Sequence, residues 1–426
     1  MRSPSKMQPR NFPERVIWYS IVGTYAFYLI GGIYIIIPAI AWVLFFYFCK
    51  KLWQQNDTTP ASEKIHIPVM VWVWVAGMLL EELALIMGHI DFDLGLTALI
   101  KSSIGWAKGW AFFAIFPLVS CLQIRPQLLY RAACIVCLQT LIFAPIFILA
   151  YYIHLPELVY VSPLKIVGGP GPEFFEFRFF EIDPDNGEPR WRLFTPWAPA
   201  LGFVANIYFV FSLYEKDKKW KWCGIIGSIL MCLITASRLG ILCLPAVSII
   251  AWALSSLARP IFLIFIGLLS SLAAIFASPA IEAATTFLDK VKSSRASSTE
   301  VRGALARIAL SRFSEAPIWG HGAVERGPHL VQFMVIGSHS TFYGILFIKG
   351  IVGFIGYVVP LLSSFVNLLI KAQKSETAKV GFSIVLLLFF YSFAENLEML
   401  AYLIWPGLVM LGIAFKEKNS SIPHQP

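Results

Sequence analysis

The stretch VIWYSIVGTYAFYLIGGIYIIIPAIAWVLFFYFC, residues 16–49, decides the fold class because it contains no charged side chain. It exceeds the roughly 20 residues with which one helix crosses the hydrocarbon core of a bilayer. Gly31 and Gly32 divide it near the middle, and glycine weakens a helix interior. The stretch therefore predicts two consecutive membrane-spanning helices.

Further apolar stretches recur along the chain. Because a backbone in lipid must satisfy its hydrogen bonds internally, such stretches form helices, and they lack the alternating pattern of barrel strands. Together with residues 16–49 they predict an all-α integral membrane protein of about twelve transmembrane helices, one polytopic domain over residues 1–426. The stretches cover residues 67–88, 104–122, 132–153, 197–214, 223–236, 241–257, 261–283, 341–369, 380–394 and 399–415.

The cations of the chain define two sides of this domain. There are 34 Lys and Arg against 25 Asp and Glu, a net charge of +9. Most of the excess lies in short segments between apolar stretches, where it marks the cytoplasmic side of a membrane rather than a nucleic-acid partner. All these segments share one side if both termini are cytoplasmic and the number of helices is even. They are residues 2–15, 50–64, 125–131, 216–221, 371–379 and 416–418, with Arg259.

Two long segments, 154–196 and 284–340, are left on the outer side and also carry lysines and arginines. Long loops cross a membrane whatever their charge, so a plain solvated surface is one interpretation. The other is an anion-binding vestibule, because the planar guanidinium binds phosphate with two hydrogen bonds.

The second loop contains a predicted helix, SSTEVRGALARIALSRF, at residues 297–313. Ser298 and Thr299 are candidate N-caps, and an apolar stripe that includes Val301, Leu305 and Ile308 follows. Such a short amphipathic helix is expected to lie across the outer face.

Three motifs follow one another in the second half of the chain. The first is Thr235-Ala-Ser-Arg-Leu-Gly240, where one predicted helix ends and the next begins. The second runs from Val301-Arg302 to Pro317-Ile-Trp-Gly-His-Gly322. The third is His339-Ser-Thr-Phe-Tyr343, followed by Gly350-Ile-Val-Gly353, where the second loop re-enters the membrane.

In this order and spacing, the motifs resemble those of the O-antigen polymerase and O-antigen ligase superfamily. Arg192, before Pro196, is similar to the arginine of the family's smaller periplasmic loop. Two positions depart from the family pattern: Ser340 stands where Asn is usual, and Ala306 where many relatives carry Trp. The resemblance covers about residues 190–357.

The resemblance implies a glycosyltransferase of the C-type membrane arrangement, in a bacterial inner membrane with its active site at the periplasmic face. The donor would be an undecaprenyl-diphosphate-linked glycan, with no nucleotide sugar, metal or cofactor. A polymerase of repeat units, working with a chain-length regulator, is the leading hypothesis. A ligase that moves the glycan to lipid A-core or another acceptor shares the same donor chemistry. A transporter is the alternative from another class, although transporter folds show internal repeats that are not evident here.

Within this resemblance, arginines are the candidates for contact with the diphosphate. Negative charge grows on the diphosphate as the sugar–phosphate bond breaks, and fixed cations stabilise that transition state. Arg238 and Arg302 are the predicted catalytic cations, while Arg192 and Arg307 are predicted to bind substrate.

The remaining candidates are a histidine and two carboxylates. His339 is predicted to act as general base on the acceptor hydroxyl, or only to orient it. Glu81 lies in an apolar span, where a charge is costly, and is predicted to pair with a vestibule arginine. Glu395, with Asn396 and Glu398, is predicted to contact sugar hydroxyls.

The charge asymmetry predicts which side each loop occupies. Cysteine introduced at Ser297 should react with a membrane-impermeant reagent from outside, and cysteine at Ser375 only from inside. Labelling of intact and opened cells measures this, with the unsubstituted protein as the control for its native thiols. The reverse pattern would contradict the predicted position of every site residue.

Overall fold

The structure of the chain is a computed structural model. It describes most of the chain, and the predicted span at 261–283 lies largely outside the described residues, as does the beginning of the second loop. The described residues are 7–60, 64–183, 187–261, 296–331 and 333–417, with eight single positions between residues 264 and 286.

Helices make up most of the described structure. Their bounds are α1 Phe12–Val22, α2 Thr24–Leu29, α3 Ile33–Trp53, α4 Val69–Asp91, α5 Leu96–Lys108, α6 Phe112–Val119, α7 Pro126–Tyr152, α8 Ala198–Leu213, α9 Lys218–Ile234, α10 Arg238–Leu254, α11 Ala296–Phe313, α12 Thr341–Ala372, α13 Glu376–Ser392 and α14 Leu397–Phe415. Within the described residues, α3, α4, α7, α12 and α14 are the five helices long and apolar enough to cross a membrane. The fold is therefore that of a helical membrane protein.

Helix α14 is the centre of the bundle. Nearly all of its side chains are buried, and it packs against α6, α8 and α13. A helix that is apolar all round has no face suited to water, so it is stable only when other helices or lipid surround it. The partly exposed helices α3, α4 and α7 lie further out.

The bundle has two ends. At one of them, here called the loop end, α9 turns into α10, α13 turns into α14, and α11 packs against α12. At the opposite end, residues just before α1 and just after α14 contact one connection: Asn11 donates to the carbonyl of Gln123, and Lys416 Nζ donates to that of Leu122. Lys371 at this end donates to the carbonyl of Phe415. Cations that the sequence analysis assigns to one side therefore lie together.

The prediction of one helix over residues 104–122 is wrong. The chain forms α5 and α6 instead, separated at Gly109, whose backbone is not helical. Glycine at position 109 permits the close approach of Glu398, because a Cβ there would lie 2.6 Å from Glu398 Cγ. The division of residues 16–49 at Gly31 and Gly32 is confirmed, with α2 ending at Leu29 and α3 beginning at Ile33.

The first loop contains two small antiparallel hairpins that the sequence did not indicate. Strand β1 (Leu158–Val161) pairs with β2 (Glu176–Arg178), and β3 (Glu181–Ile182) pairs with β4 (Pro189–Arg190). Trp191 N donates to the carbonyl of Ile234. The end of this loop is therefore tied to the α9–α10 turn.

The predicted helix of the second loop is confirmed as α11. It begins at Ala296, so Ser298 and Thr299 lie inside its first turn rather than at the N-cap. Ala304, Leu305 and Ala309 are buried on the face that packs against α12 and residues 329–331.

Helix α12 is broken at Gly350, which has φ 60° and ψ −158°. An intact helix would bond the amides of Ile351 and Val352 to the carbonyls of Phe347 and Ile348. Here those two amides donate to the carbonyls of residues 317 and 318, at 2.9 and 3.2 Å.

The turn Pro317–Gly322 fills this break in α12. The amides of His321 and Gly322 donate to the two helical carbonyls that the break leaves open, both at 2.9 Å. Buried backbone groups require partners, so the turn and the break stabilise each other. Gly320 permits this close approach, because a Cβ there would lie 2.4 Å from Ile348 C and Lys349 N.

Gly320→Ala should destabilise the protein. The residue has φ +69° and no room for a Cβ, so the change should cost more than about 2 kcal/mol through strain and displacement of α12. Gly105→Ala is the control, since a Cβ there meets nothing within 4 Å and alanine favours a helix. Thermal unfolding in detergent compares the two; equal melting temperatures would contradict the role of the inserted turn.

Candidate active site

Arg238 is the first residue of α10, directly after the tight turn from α9. Ala236 has φ 48°, in the left-handed region, and the Ser237 side chain caps the helix by accepting from Gly240 N. Asn206 of α8 donates to the carbonyl of Gly240 at 2.9 Å and fixes the turn to the core. A half-buried arginine at a helix N-terminus forms a positive site, because the helix dipole has the same sign there.

Arg192 lies close to this turn, but its guanidinium forms an ion pair with Glu176. It is 4% exposed, and its Nη2 is 2.6 Å from Glu176 Oε2. Its Nη1 donates to the carbonyl of Pro196. The same Glu176 oxygen lies 3.2 Å from Arg178 Nη2. The structure therefore places Arg192 in a buried ion pair that holds the first loop together.

Arg302 and Arg307 project from different faces of α11. Five residues correspond to a rotation of about 140° on a helix. Arg302 is half-buried, and its Nη1 lies 3.5 Å from the carbonyl oxygen of Ala394 at the α13–α14 turn. Arg307 is exposed on the outer surface. The structure thus brings Arg302, but not Arg307, to the end of α13.

The segment after His339 is fastened to the α13–α14 turn. Ser340 Oγ donates to the carbonyl of Ser392 at 3.1 Å, and Thr341 Oγ1 donates to that of Glu395 at 2.7 Å. Thr341 Oγ1 also accepts from Leu397 N at 3.0 Å. Ser340, which stands where the resembled family usually carries asparagine, is therefore a structural contact. It holds the neighbouring His339 next to the N-terminus of α12.

Glu395 lies in the same turn and is 4% exposed. Its Oε2 accepts a hydrogen bond of 2.9 Å from Trp197 Nε1, at the start of α8. Asn396, predicted with it to contact sugar, instead caps α14 by accepting from Glu398 N. Glu398 packs against Gly109. Glu395, Asn396 and Glu398, predicted to contact sugar together, therefore lie in three different surroundings.

The pKa values of His339 and Glu395 move in opposite directions. Burial and the charge of Arg302 lower the pKa of His339 to about 4. Burial raises the pKa of Glu395 to about 7, although Arg302 and the Trp197 hydrogen bond oppose the rise. At neutral pH His339 is therefore uncharged.

Glu81 pairs with a lysine rather than with the predicted arginine. Its Oε2 lies 2.8 Å from Lys349 Nζ, and the two side chains are 0% and 3% exposed. Lys349 directly precedes the break in α12, and its Nζ lies 5.0 Å from the ring centroid of Trp110. Gly77 of α4 and Gly356 of α12 let the two backbones touch, which brings the charges together.

Sequence reasoning missed Lys349 and the hydrogen bond from Trp197. The signal for Lys349 was present, since a lysine within an apolar stretch requires a partner. Trp197 carried no such signal, because interfacial tryptophans are common in membrane proteins. Its contact with Glu395 spans 198 residues of sequence.

The fold and this cluster define a helical, multi-pass membrane protein with cations and a buried carboxylate gathered at one end. Residues 223–358 match a family model described as O-antigen ligase. The match confirms the resemblance to the O-antigen polymerase and ligase superfamily, and at the family level it indicates a polysaccharide-related membrane enzyme. It includes Arg238, Arg302 and His339. No curated protein matches the chain at a significant level.

Removing one charge of the buried pair should be costly. Glu81→Gln leaves the ammonium of Lys349 buried without its carboxylate, and such changes cost about 3–5 kcal/mol. Adding Lys349→Met should restore much of the loss, because the double variant buries no charge. Glu157→Gln is the control: its pair with Arg178 is 42% exposed on the glutamate side and should be worth about 1 kcal/mol or less. Thermal unfolding measures all three; additive losses in the double variant would contradict the pairing.

Proposed function

We propose that the chain is a membrane glycosyltransferase that polymerises undecaprenyl-diphosphate-linked oligosaccharide repeat units. The observation that carries the proposal is the meeting of Arg302, His339 and Glu395 at the loop end of the bundle. A cation for the leaving group and polar groups for an acceptor are thereby gathered at the α13–α14 turn. The substrate glycan is polar while its carrier is a lipid, so the reaction belongs at a membrane surface.

Arg302 and Arg238 bind the diphosphate in this proposal. The hydrogen bond from Arg302 to the carbonyl of Ala394 is long, at 3.5 Å, and therefore weak. Replacing this carbonyl with phosphate oxygens costs the guanidinium little binding energy. The N-terminus of α10 adds amide dipoles beside Arg238. Charge develops on the diphosphate during transfer, and these fixed cations stabilise it without a metal ion or a cofactor.

The other predicted residues take supporting positions. His339, uncharged, orients the acceptor hydroxyl by a hydrogen bond. Arg192 holds the first loop together through Glu176, and its neighbour Trp191 ties that loop to the α9–α10 turn. Arg307 meets the glycan from the solvent side, and Glu81 keeps Lys349 and the broken end of α12 in place.

In this proposal the loop end faces the periplasm of a bacterial inner membrane. The lysines at the opposite end then face the cytoplasm, as the positive-inside rule requires. Both chain termini lie on that cytoplasmic side. A membrane-embedded chain-length regulator is the expected partner of a polymerase of this kind.

A ligase is the second candidate, and the description of the matching family favours it. It uses the same donor, so the arginines serve both reactions. Purified protein given the lipid-diphosphate oligosaccharide alone should produce a ladder of longer lipid-linked glycans if it is a polymerase. Transfer only after addition of lipid A-core would identify the ligase.

A transporter receives less support from the geometry. Transporters bind substrates and ions at the free backbone groups of broken helices. At the break in α12 the corresponding groups are bonded to the turn at 317–322. An absence of any glycan product, together with uptake of a solute, would revive this alternative.

Loss of either diphosphate-binding arginine should nearly abolish transfer. Arg238→Ala and Arg302→Ala should each lower kcat by about 10²–10³, the typical effect of removing one preorganised donor. Arg→Lys should restore little, because lysine lacks the planar fork. Arg15→Ala is the control, since Arg15 is exposed at the beginning of α1. Product from a purified lipid-diphosphate donor measures the rate, and full activity in Arg238→Ala at normal yield would remove that residue from the mechanism.

A further inference from the structure

The carboxylate of Glu395 is held in a defined position beside the candidate arginine. Its Oε2 accepts from Trp197 Nε1, and its own carbonyl accepts from Thr341 Oγ1. The carbonyl of the preceding residue, Ala394, is the one that Arg302 Nη1 approaches. Three separate segments of the chain therefore converge on the turn that carries this carboxyl group.

Few charged or titratable groups face Glu395 in the described part of the chain. Arg302 comes from α11, and its charge also acts on His339 at the end of the second loop. Tyr391 comes from the last turn of α13, with its hydroxyl bonded by Asn206 Nδ2 at 3.3 Å.

We propose that Glu395, and not His339, takes the proton from the acceptor hydroxyl during glycosyl transfer. The inference rests on the proposed function and names a catalytic base for it. In the step, the acceptor oxygen bonds to the anomeric carbon while its proton passes to Glu395. The bond from the anomeric carbon to the phosphate oxygen breaks, and its electron pair leaves with the diphosphate. Glu395 then releases the proton to water, so the enzyme returns to its starting state.

The proton affinities of the two groups support this assignment. A base is most effective when its pKa lies near the working pH. Burial raises the pKa of Glu395 to about 7, whereas burial and Arg302 lower that of His339 to about 4. The imidazole is thus a far weaker base than the carboxylate, although it remains a good hydrogen-bond partner for an acceptor.

Trp197 is a positioning residue for this carboxylate. Its N–H occupies Oε2, which leaves Oε1 to receive the acceptor proton. A hydrogen bond to the charged form of an acid also lowers its pKa. Trp197 therefore sets both the direction of the carboxylate and the pH at which it becomes active.

The test is the pH dependence of kcat between pH 4 and pH 9, with a purified lipid-diphosphate oligosaccharide as donor and acceptor. Because a carboxylate base works only when deprotonated, the wild-type rate should rise about tenfold per pH unit below 7 and level off above it. Glu395→Gln should lower kcat by about 10²–10⁴ and remove this dependence, with donor binding within about threefold of wild type. His339→Gln should be slower yet keep the inflection near pH 7.

Three results would overturn the inference. One is a Glu395→Gln protein with the wild-type rate and profile. Another is an inflection near pH 4 that His339→Gln abolishes, which would make the histidine the base. The third is a wild-type protein that transfers no glycan at all, and only this result also removes the proposed function.

A second pair of variants decides the matter even if Glu395→Gln fails to insert. Trp197→Phe removes the hydrogen bond to the carboxylate, so the inflection should move to higher pH. Trp191→Phe is the matched control, because its indole N–H donates to the carbonyl of Phe147 at 3.1 Å and not to Glu395. An inflection that stays in place in Trp197→Phe, or moves equally in both, would contradict the assignment.

Discussion

The insertion of the turn Pro317–Gly322 into the break of α12 is the constraint on which the site depends. A helix interrupted within a membrane exposes backbone groups that lipid cannot satisfy, at a cost of several kcal/mol for each group. The turn supplies two carbonyls and two amides to the four groups of the break. Loop and helix therefore fold as one unit, although the loop alone looks like a surface connection.

This insertion orients the first part of α12 and the side chains that it carries or that adjoin it. On one side of the helix, Lys349 reaches Glu81 in α4. At its beginning, Ser340 and Thr341 bind the α13–α14 turn and hold His339 there. Since the same loop continues back into α11, Arg302 reaches Ala394 as part of one assembly. A buried ion pair and a surface site are thus coupled through a single helix break.

The cations of this region differ in how deeply they are buried, and their roles differ accordingly. Arg192 and Lys349 are nearly inaccessible and each has a carboxylate within 3 Å, Glu176 and Glu81 respectively. Pairing of this kind is what makes a buried cation tolerable. Arg238, at the N-terminus of α10, and Arg302, in the second turn of α11, are half-buried, and both are proposed to bind a negatively charged ligand. The same residue type therefore has a structural role at one position and a proposed catalytic role at another.

The sequence by itself determined the membrane class, the division at Gly31 and Gly32, the helix over 297–313 and the family resemblance, because apolar length, glycine and local motifs act over short distances. Arg238 was likewise predictable as the start of a helix. Only the tertiary structure decided that Arg302 reaches the carbonyl of Ala394 while Arg307 faces away, and that Glu81 pairs with Lys349. These contacts join residues far apart in the chain, and the burial that separates the pKa of Glu395 from that of His339 exists only after the helices have packed.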